Sequence, residues 1–273
     1  EWEPVIKEFE ERTGWNVRVE TGSAKEMLSQ LEKEEADWDV AFGVSADALE
    51  EGKEYWQTGK DAWTGYSAVS FVILYNTNVV TYRELPTGWD SLLEPRWKGR
   101  VAVPDPLKSD MAASVLTEAA KNSEKEEFLD LLAENMQYQM PETFKEVEQG
   151  ISDGRYSIGV TSEEAAKAML AAGQDVDYID PEEGECFFED GTAIRKRTPN
   201  LDASEAFVTY TTCDDTKWLL RTQLLRQPAE DVAAENDRSD EDLKQRYSRQ
   251  QEVLNIWKLI MEEKSGSAHE QEQ

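Results

Sequence analysis

The sequence predicts an α/β protein, because segments with helical and with strand periodicity alternate along its 273 residues. Two observations support this prediction. Apolar residues recur at helical spacing in several segments, and short runs of alternating or continuous apolar residues lie between them. A Ser or Thr also stands repeatedly where a strand-like run gives way to a helical pattern, as expected of helix N-caps.

The N-terminal third begins with a helix. Trp2, Val5, Ile6 and Phe9 follow helical spacing, and Gly14 ends the pattern. After this helix we predict, in order, a strand at Val17 and Val19, a helix opened by the capping box of Ser23 and Glu26, a strand over 39–42 and a short helix from Ser45.

The middle of the chain continues the alternation. We predict strands over 66–75, 101–103, 156–160, 176–179 and 192–194. We predict helices that begin at Ser109, at a second capping box of Ser123 with Glu126, near Phe144, and at Thr161 with Ser162.

The C-terminal part reads as helical. One apolar stripe contains Ala203, Ala206, Phe207 and Tyr210. A longer stripe consists of Leu243, Tyr247, Leu254, Trp257 and Met261, and we expect it to pack across a domain. Residues 265–273 have no core positions and are expected to form a disordered tail.

Charge and hydropathy exclude several classes of function. The 58 acidic and 29 basic residues give a net charge of −29, which opposes binding to nucleic acid or to anionic lipid. No apolar run reaches the length of a membrane-spanning helix, so no membrane insertion is expected. Two cysteines, Cys186 and Cys213, make no disulfide framework; separate thiols are expected, with pairing left open.

Residue constellations typical of enzymes are missing. The single histidine, His269, lies in the predicted tail, so neither a Ser-His or Cys-His pair nor a His/Cys zinc site is expected. The glycines form no phosphate-binding loop, and the carboxylates are too numerous for one pair to stand out. We therefore expect a binding protein without a cofactor or a metal.

Hydroxyl residues at four strand ends are the candidate binding groups. They follow the strand-like runs at Val19, Phe42, Val103 and Val160. In open α/β sheets ligands bind beyond the carboxyl ends of the strands, where helix N-termini favour anions. The alternative is that each hydroxyl only caps its own helix, which is the ordinary role of Ser and Thr at that position.

Several segments resemble the bacterial extracellular solute-binding proteins of ABC transporters. The most specific is Leu92-Leu-Glu-Pro-Arg-Trp-Lys-Gly-Arg-Val-Ala-Val-Pro-Asp-Pro106, which is similar to a signature of the iron(III), phosphonate and phosphosugar group. The other similar segments are 4–14, 21–24, 37–43, 156–161 and 190–194. The resemblance extends from residue 1 to about residue 225.

The resemblance implies a two-lobed, type II periplasmic-binding-protein-like fold with a ligand cleft between the lobes. Lobe 1 would comprise 1–98 and 186–226, and lobe 2 would comprise 99–185 and 227–264, so that short crossings act as a hinge. It also implies an extracellular, cell-surface or periplasmic monomer that delivers a small solute to the permease of an ABC importer.

The sequence departs from the family pattern in two places. Family members normally begin with a β-strand before the first helix, whereas this sequence starts at the helix, so we expect that strand to be lacking here. Iron-binding members carry adjacent tyrosines where this chain has Thr161, Ser162 and Glu163, so ligation of ferric iron by phenolates at those positions is not expected.

From the resemblance and the strand ends we predict ligand-binding residues in both lobes. Lobe 1 would contribute Ser23, Ala24 and Ser45, and lobe 2 would contribute Ser109, Thr161, Ser162 and Glu163. Backbone amides and hydroxyls of this kind suit an anionic or polyhydroxyl solute. A polyamine or another cation is the alternative ligand, because Glu163, Asp105 and Asp110 fall near the predicted cleft.

Two other functions stay open. The same module could present its solute to a sensor kinase instead of a permease, and nothing in these residues separates the two uses. An enzyme on a similar two-lobed fold is the third possibility, which the missing histidine and nucleophile pair disfavour.

Overall fold

The computed structural model describes residues 2–57, 62–233 and 239–271, and the side chains within them except those of 232, 233, 240 and 265–271. Its helices are α1 (Glu3–Thr13), α2 (Ala24–Glu32), α3 (Ala46–Glu51), α4 (Asp110–Asn122), α5 (Phe128–Asn135), α6 (Phe144–Ser152), α7 (Glu163–Ala171), α8 (Leu201–Thr211), α9 (Asp214–Leu219), α10 (Ala229–Ala233) and α11 (Asp240–Gln271). Its strands are β1 (Val40–Ser45), β2 (Thr64–Asn76), β3 (Val101–Ala102), β4 (Ile158–Ser162), β5 (Val176–Ile179), β6 (Cys186–Ile194) and β7 (Gln227–Pro228). The predicted α/β class is confirmed.

The chain folds into two compact units. The first contains residues 1–69 and 188–248, and the second contains residues 70–187 and 249–273. Strands β2 and β6 and helix α11 each pass from one unit into the other. Residues 70–98 belong to the second unit, whereas the sequence analysis assigned them to lobe 1. The predicted lobe boundaries stay a prediction.

The first unit is built around the antiparallel pair β1 and β6, in which Ser45 lies opposite Asp190. One core cluster beside this pair contains Leu28, Leu49 and Trp56, and another contains Val5, Phe9 and Phe207. A bulge at Gly43 interrupts the pairing, where φ is 70° and a Cβ atom would lie 2.6 Å from the indole nitrogen of Trp2. Glycine is therefore required at this contact.

The second unit contains the C-terminal half of β2, which pairs antiparallel with β4 and with β5. Strand β3 pairs with β4 in parallel, so that Val101 lies opposite Ile158. The core beneath these strands consists of Val72, Leu74, Ala102, Val147, Ile151, Ala166, Met169 and Val176. Helices α6 and α7 thus cover the sheet, α6 with Val147 and Ile151 and α7 with Ala166 and Met169.

Two predicted elements are wrong. Val17 and Val19 belong to no strand, and Val19 is 56% exposed. Ser123 and Glu126 form no capping box: Ser123 ends α4 and donates a hydrogen bond to Asp90, and α5 begins without a side-chain cap. Among the described residues no strand pairs with Val17 and Val19, and the hydroxyl of Ser123 binds Asp90 instead of capping α5.

The buried face of α11 coincides only in part with the predicted stripe, sharing Leu243 and Trp257 with it. The buried residues are Leu243, Arg246, Gln250, Val253 and Trp257, while Tyr247, Leu254 and Met261 are partly exposed. Arg246 lies 3.6 Å from Asp47, and the Gln250 amide donates to the carbonyl of Asp110 at 3.4 Å. Polar side chains thus occupy positions that a search for apolar periodicity overlooks.

The chain ends and the cysteines complete the description. The backbone of α11 continues through Gln271, where the sequence analysis expected a disordered tail from residue 265. Residues 272 and 273, and the side chain of His269, lie outside the described residues. Cys186 and Cys213 are both free thiols, as expected.

Candidate functional site

Three helix N-termini meet at one edge of the second unit. Because β3 and β4 are parallel, their carboxyl ends lie at the same edge of the sheet. The chain leaves β3 toward Ser109, which caps α4, and leaves β4 at Ser162, which caps α7. This edge therefore brings together two of the predicted candidate residues.

Helix α6 adds a third N-terminus at the same edge. The amide of Asp105 donates to the carbonyl of Pro141 at 3.0 Å, and Lys108 forms an ion pair with Glu142. Thr143 directly follows this contact and caps α6. Thr143 is not among the residues predicted from the sequence, although Glu146 three residues later completes the spacing of a capping box.

The hydroxyl groups at this edge cap their own helices. The Oγ of Ser109 accepts from the amide of Ala112, Thr143 Oγ1 accepts from the amide of Glu146, and Ser162 Oγ accepts from the amide of Ala165, each at 3.2 Å. A capping hydroxyl retains its own proton, and other amides of the first turn have no partner within their helix. The caps leave donors that could serve a ligand.

Thr161 differs from its neighbours because its hydroxyl is engaged inside the unit. The residue is fully buried in β4, and its Oγ1 donates to Glu148 Oε1 at 2.6 Å. Burial raises the pKa of Glu148, although the hydrogen bond from Thr161 and the charge of Lys145 act in the opposite direction. Thr161 thus holds a carboxylate in place, and its predicted contact with a ligand stays a prediction.

Glu163 forms a small network with Lys167 and Tyr178. The ammonium group of Lys167 lies 2.9 Å from Glu163 and 3.0 Å from Glu164. Partial burial opposes the charge on Lys167, but hydrogen bonds to the two carboxylates raise its pKa. The hydroxyl of Tyr178 donates to Glu163 at 3.5 Å, and burial, reinforced by the negative charge of Glu163, raises the pKa of this tyrosine. Glu163 is therefore held between an ammonium group and a phenol hydroxyl.

The predicted residues of the first unit cap two helices. Ser23 and Glu26 form the predicted capping box, and the amide of Ser23 lowers the pKa of Glu26. Ala24 begins α2 and is buried. Ser45 is 3% exposed and accepts from the amide of Ala48 at 3.3 Å. Helices α2 and α3 share a core cluster, but no described hydrogen bond joins Ser23 to Ser45.

A buried charged group lies behind Ser45 in the first unit. Asp190, opposite Ser45 in the sheet, forms an ion pair with Arg226 and accepts from Ser67 Oγ at 2.8 Å. The guanidinium group also lies 4.8 Å from the ring centroid of Trp2. No sequence pattern predicts this group, because its members are far apart in the chain and form no motif.

The described part of the chain contains neither a helix long and apolar enough to cross a membrane nor a group of three or more potential metal-ligating side chains.

Comparisons with known proteins agree with this architecture. Among curated proteins, the iron uptake protein A1 of Synechocystis sp. is 23% identical over 266 residues, which cover 85% of this chain and 70% of that protein. Among solved structures, the ferric binding protein from Campylobacter jejuni has a TM-score of 0.74 at 17% identity and covers 94% of this chain and 95% of its own.

A third similar protein was solved with a phosphorylated sugar bound. The periplasmic binding protein AfuA from Actinobacillus pleuropneumoniae, described with fructose-6-phosphate bound, has a TM-score of 0.77 at 15% identity. The alignment covers 95% of this chain and 94% of that one. At such identities the likeness establishes the fold alone, which is that of the type II periplasmic binding proteins.

The family follows from the sequence match. Residues 24–251, most of the chain, match the family described as bacterial extracellular solute-binding protein. The resemblance identified at Leu92 to Pro106 is thereby confirmed. The chain belongs to the bacterial extracellular solute-binding protein family.

Proposed function

We propose that this chain is the solute-binding component of an ABC importer, exported from the cell, and that it binds its solute without converting it. The observation that carries the proposal is the meeting of the α4, α6 and α7 N-termini at one edge of the second unit. Ser109, Thr143 and Ser162 would contribute hydroxyls and first-turn amides there, and Ser23, Ala24 and Ser45 are the proposed contributions of the first unit.

The electrostatics of this edge favour an anionic solute that also carries hydroxyl groups. Three helix N-termini supply partial positive charge, and Lys108 adds a cation beside Glu142. Acidic groups at the same edge, including Asp110 and Glu163, would accept hydrogen bonds from hydroxyls. A phosphorylated sugar combines both features, and AfuA was solved with such a ligand.

Thermal-shift measurements on a panel of solutes test the proposal. The panel contains fructose-6-phosphate, inorganic phosphate, an uncharged sugar, spermidine and ferric citrate. We expect the largest stabilisation from a phosphorylated or polyhydroxyl anion, because a ligand that binds only the folded state raises the melting temperature. Stabilisation by spermidine alone would replace this proposal with the cation alternative, and no stabilisation by any member would overturn it for these classes.

A matched pair of variants tests the location of the site. Thr143→Ala removes the hydroxyl at the N-terminus of α6, and Ser152→Ala removes one at the C-terminus of the same helix. We expect Thr143→Ala to lower the affinity for the stabilising anion by about tenfold, which is about 1.4 kcal/mol of binding free energy. Ser152→Ala should leave this affinity unchanged. Equal effects of the two variants would move the site away from this edge.

The partner is tested with purified membranes that contain a candidate permease. Solute-loaded protein should stimulate ATP hydrolysis by the transporter, whereas unloaded protein should not. Activation of a sensor kinase without any effect on a transporter would favour the sensing role instead.

A further inference from the structure

One aromatic side chain lies among the polar groups at the edge proposed to bind solute. Phe144 is the first residue of α6 and directly follows the capping residue Thr143. Phenylalanine has a lower helix propensity than straight-chain residues such as glutamate and lysine, and this side chain is only partly buried. Neither local helix formation nor full burial therefore accounts for an aromatic residue at this position.

The ring of Phe144 extends across the edge of the sheet. Thr161 faces α6, since its hydroxyl donates to Glu148 of that helix. Side chains alternate along a strand, so the next residue, Ser162, and its partner in β2, Phe71, face the opposite side. The ring of Phe144 nevertheless stacks on that of Phe71, with the centroids 5.6 Å apart and the planes at 23°. It therefore reaches past the end of β4, at the level of Ser162.

Phe71 covers one side of the Phe144 ring. Phe71 is 1% exposed, and in the part of the chain that the structure describes it is the one aromatic ring that contacts Phe144. Because stacking covers the side that faces Phe71, the exposed part of Phe144 belongs to its edge and its opposite side. A second ring fits there, since stacked rings lie with centroids about 4.5–7 Å apart.

A second apolar side chain is exposed on the neighbouring loop. Leu107 is 48% exposed and precedes Lys108, which pairs with Glu142. Glu142 stands two residues before Phe144, so this loop lies beside the start of α6. Ligand sites combine apolar side chains with a few polar groups that fix orientation, and this edge contains both.

We propose that Phe144 is a stacking surface for the solute, and that the solute is a ring compound that carries a phosphate group. This inference rests on the proposed function and narrows its class of solute. The phosphate would accept hydrogen bonds from first-turn amides of α4, α6 and α7, while one side of the ring lies on Phe144. An open-chain phosphate offers no flat side and loses more conformational freedom on binding, so it should bind less tightly.

Calorimetric titration with three phosphates tests the proposal. The probes are fructose-6-phosphate, which forms a closed ring, its open-chain reduced counterpart sorbitol-6-phosphate, and phenyl phosphate, an aromatic ring without hydroxyl groups. We expect fructose-6-phosphate to bind about threefold to tenfold more tightly than sorbitol-6-phosphate. Phenyl phosphate that binds more tightly than fructose-6-phosphate would indicate an aromatic solute, and the reverse order would indicate a sugar.

Variants of Phe144 separate the flat ring from its apolar character. Phe144→Leu should lower the affinity for fructose-6-phosphate by about threefold to tenfold and change that for sorbitol-6-phosphate by less than about twofold. Phe144→Tyr retains the ring and should retain the preference. The control is Tyr82→Leu, which removes an exposed ring beyond the end of β2, where Tyr75 lies opposite the start of β4. This change should affect neither affinity.

A measurement on the natural chain does not depend on the folding of Phe144→Leu, which also loses the contact with Phe71. The chain is labelled with ¹³C in its phenylalanine rings and saturated with fructose-6-phosphate. We expect nuclear Overhauser effects between one labelled ring and the C–H groups of the sugar ring. They should disappear in Phe144→Tyr, which removes that label.

Three results would overturn this inference alone. They are the absence of these nuclear Overhauser effects at saturation, equal affinities of the natural chain for fructose-6-phosphate and sorbitol-6-phosphate, and an equal loss of both affinities in Phe144→Leu. In the last case the ring would serve folding only. A natural chain that binds none of the three phosphates would overturn this inference together with the proposed anionic solute.

Discussion

Each unit contains a strand that ends at a helix-capping serine, but the two units differ in how deeply the neighbouring charged pair is buried. In both, a strand ends at a serine that caps the next helix: Ser45 after β1 and Ser162 after β4. Behind Ser45 lies the fully buried pair of Asp190 and Arg226. Next to Ser162 lies Thr161, whose partner Glu148 is only partly buried, and Glu163 follows with its exposed partner Lys167.

The difference shows that burial, and not the type of residue, decides what a charged pair contributes. A buried pair that loses one member leaves an uncompensated charge in a medium of low polarity. A pair in contact with water is screened and contributes little to stability, but its groups remain able to meet a ligand. We infer that the buried pair of Asp190 and Arg226 serves the folding of the first unit, while the charged groups beside Ser162 in the second unit are available for binding.

The largest test of this comparison is Arg226→Ala. The change leaves Asp190 buried without its cation, and we expect the free energy of unfolding to fall by about 3–5 kcal/mol. Urea denaturation measures the loss. Arg197→Ala, which breaks an exposed pair with Glu34 in the same unit, is the control and should cost less than about 1 kcal/mol. Similar losses in the two variants would refute the comparison.

The capping serines provide a second test with a smaller effect. Ser45 is buried, so Ser45→Ala leaves the amide of Ala48 without an acceptor or water, and we expect a loss of about 2 kcal/mol. Ser162 is partly exposed, and Ser162→Ala should cost about 1 kcal/mol. Thermal and urea unfolding measure both. A larger loss of stability for Ser162→Ala than for Ser45→Ala would contradict the conclusion that the first unit has the more deeply buried cap.

Glu148→Gln tests the carboxyl group that accepts a hydrogen bond from Thr161, next to the capping residue Ser162. The test is the dependence of stability on pH. Because burial raises the pKa of Glu148 in the folded state, its contribution is most favourable below the unfolded pKa and is lost as pH rises through the folded pKa. The glutamine variant lacks this loss and retains an oxygen that accepts from Thr161. Its stability relative to the natural chain should therefore improve from about pH 4 to neutrality, where the carboxyl ionises.

The control for this titration is Glu126→Gln, which changes the same charge at an exposed position. Unfolding curves at a series of pH values should show a larger change with pH for Glu148→Gln than for this exposed control. An equal change for the two variants would contradict the effect of burial on Glu148.

Lys108→Ala should have the smallest effect on stability. Its pair with Glu142 is about half exposed, and we expect less than about 1 kcal/mol, decreasing further with added salt. The affinity for an anionic solute should fall all the same, because the proposed site loses its cation. Calorimetric unfolding and ligand titration separate the two quantities. A large loss of stability would show that this edge is built for folding.

Local sequence patterns predicted much of the fold correctly. The capping box at Ser23 and the hydroxyl caps at Ser45, Ser109 and Ser162 are where they were expected, because a cap depends on residues within one helical turn. The buried strand over 66–75 was recognised for a similar reason, since a continuous apolar run of that length indicates a central strand.

Tertiary contacts decided the rest. Val17 and Val19 alternate like a strand, but a strand exists only where a neighbour pairs with it. The hydroxyl of Thr161 was expected to face a ligand, yet Glu148, thirteen positions earlier in the chain, accepts its hydrogen bond. Arg246 and Gln250 lie on the buried face of α11, where Asp47 supplies an ion-pair partner to the first and the carbonyl of Asp110 an acceptor to the second.

The sequence by itself therefore determined the class of fold, the starts of most helices and the family, since each of these depends on residues close together in the chain. Only the tertiary structure decided which hydroxyls are buried, which charges are paired, and that Thr143 joins Ser109 and Ser162 at one edge. The physical reason is that residues distant in sequence determine burial and pairing. Moving a charged group out of water costs much free energy unless another group pairs with it.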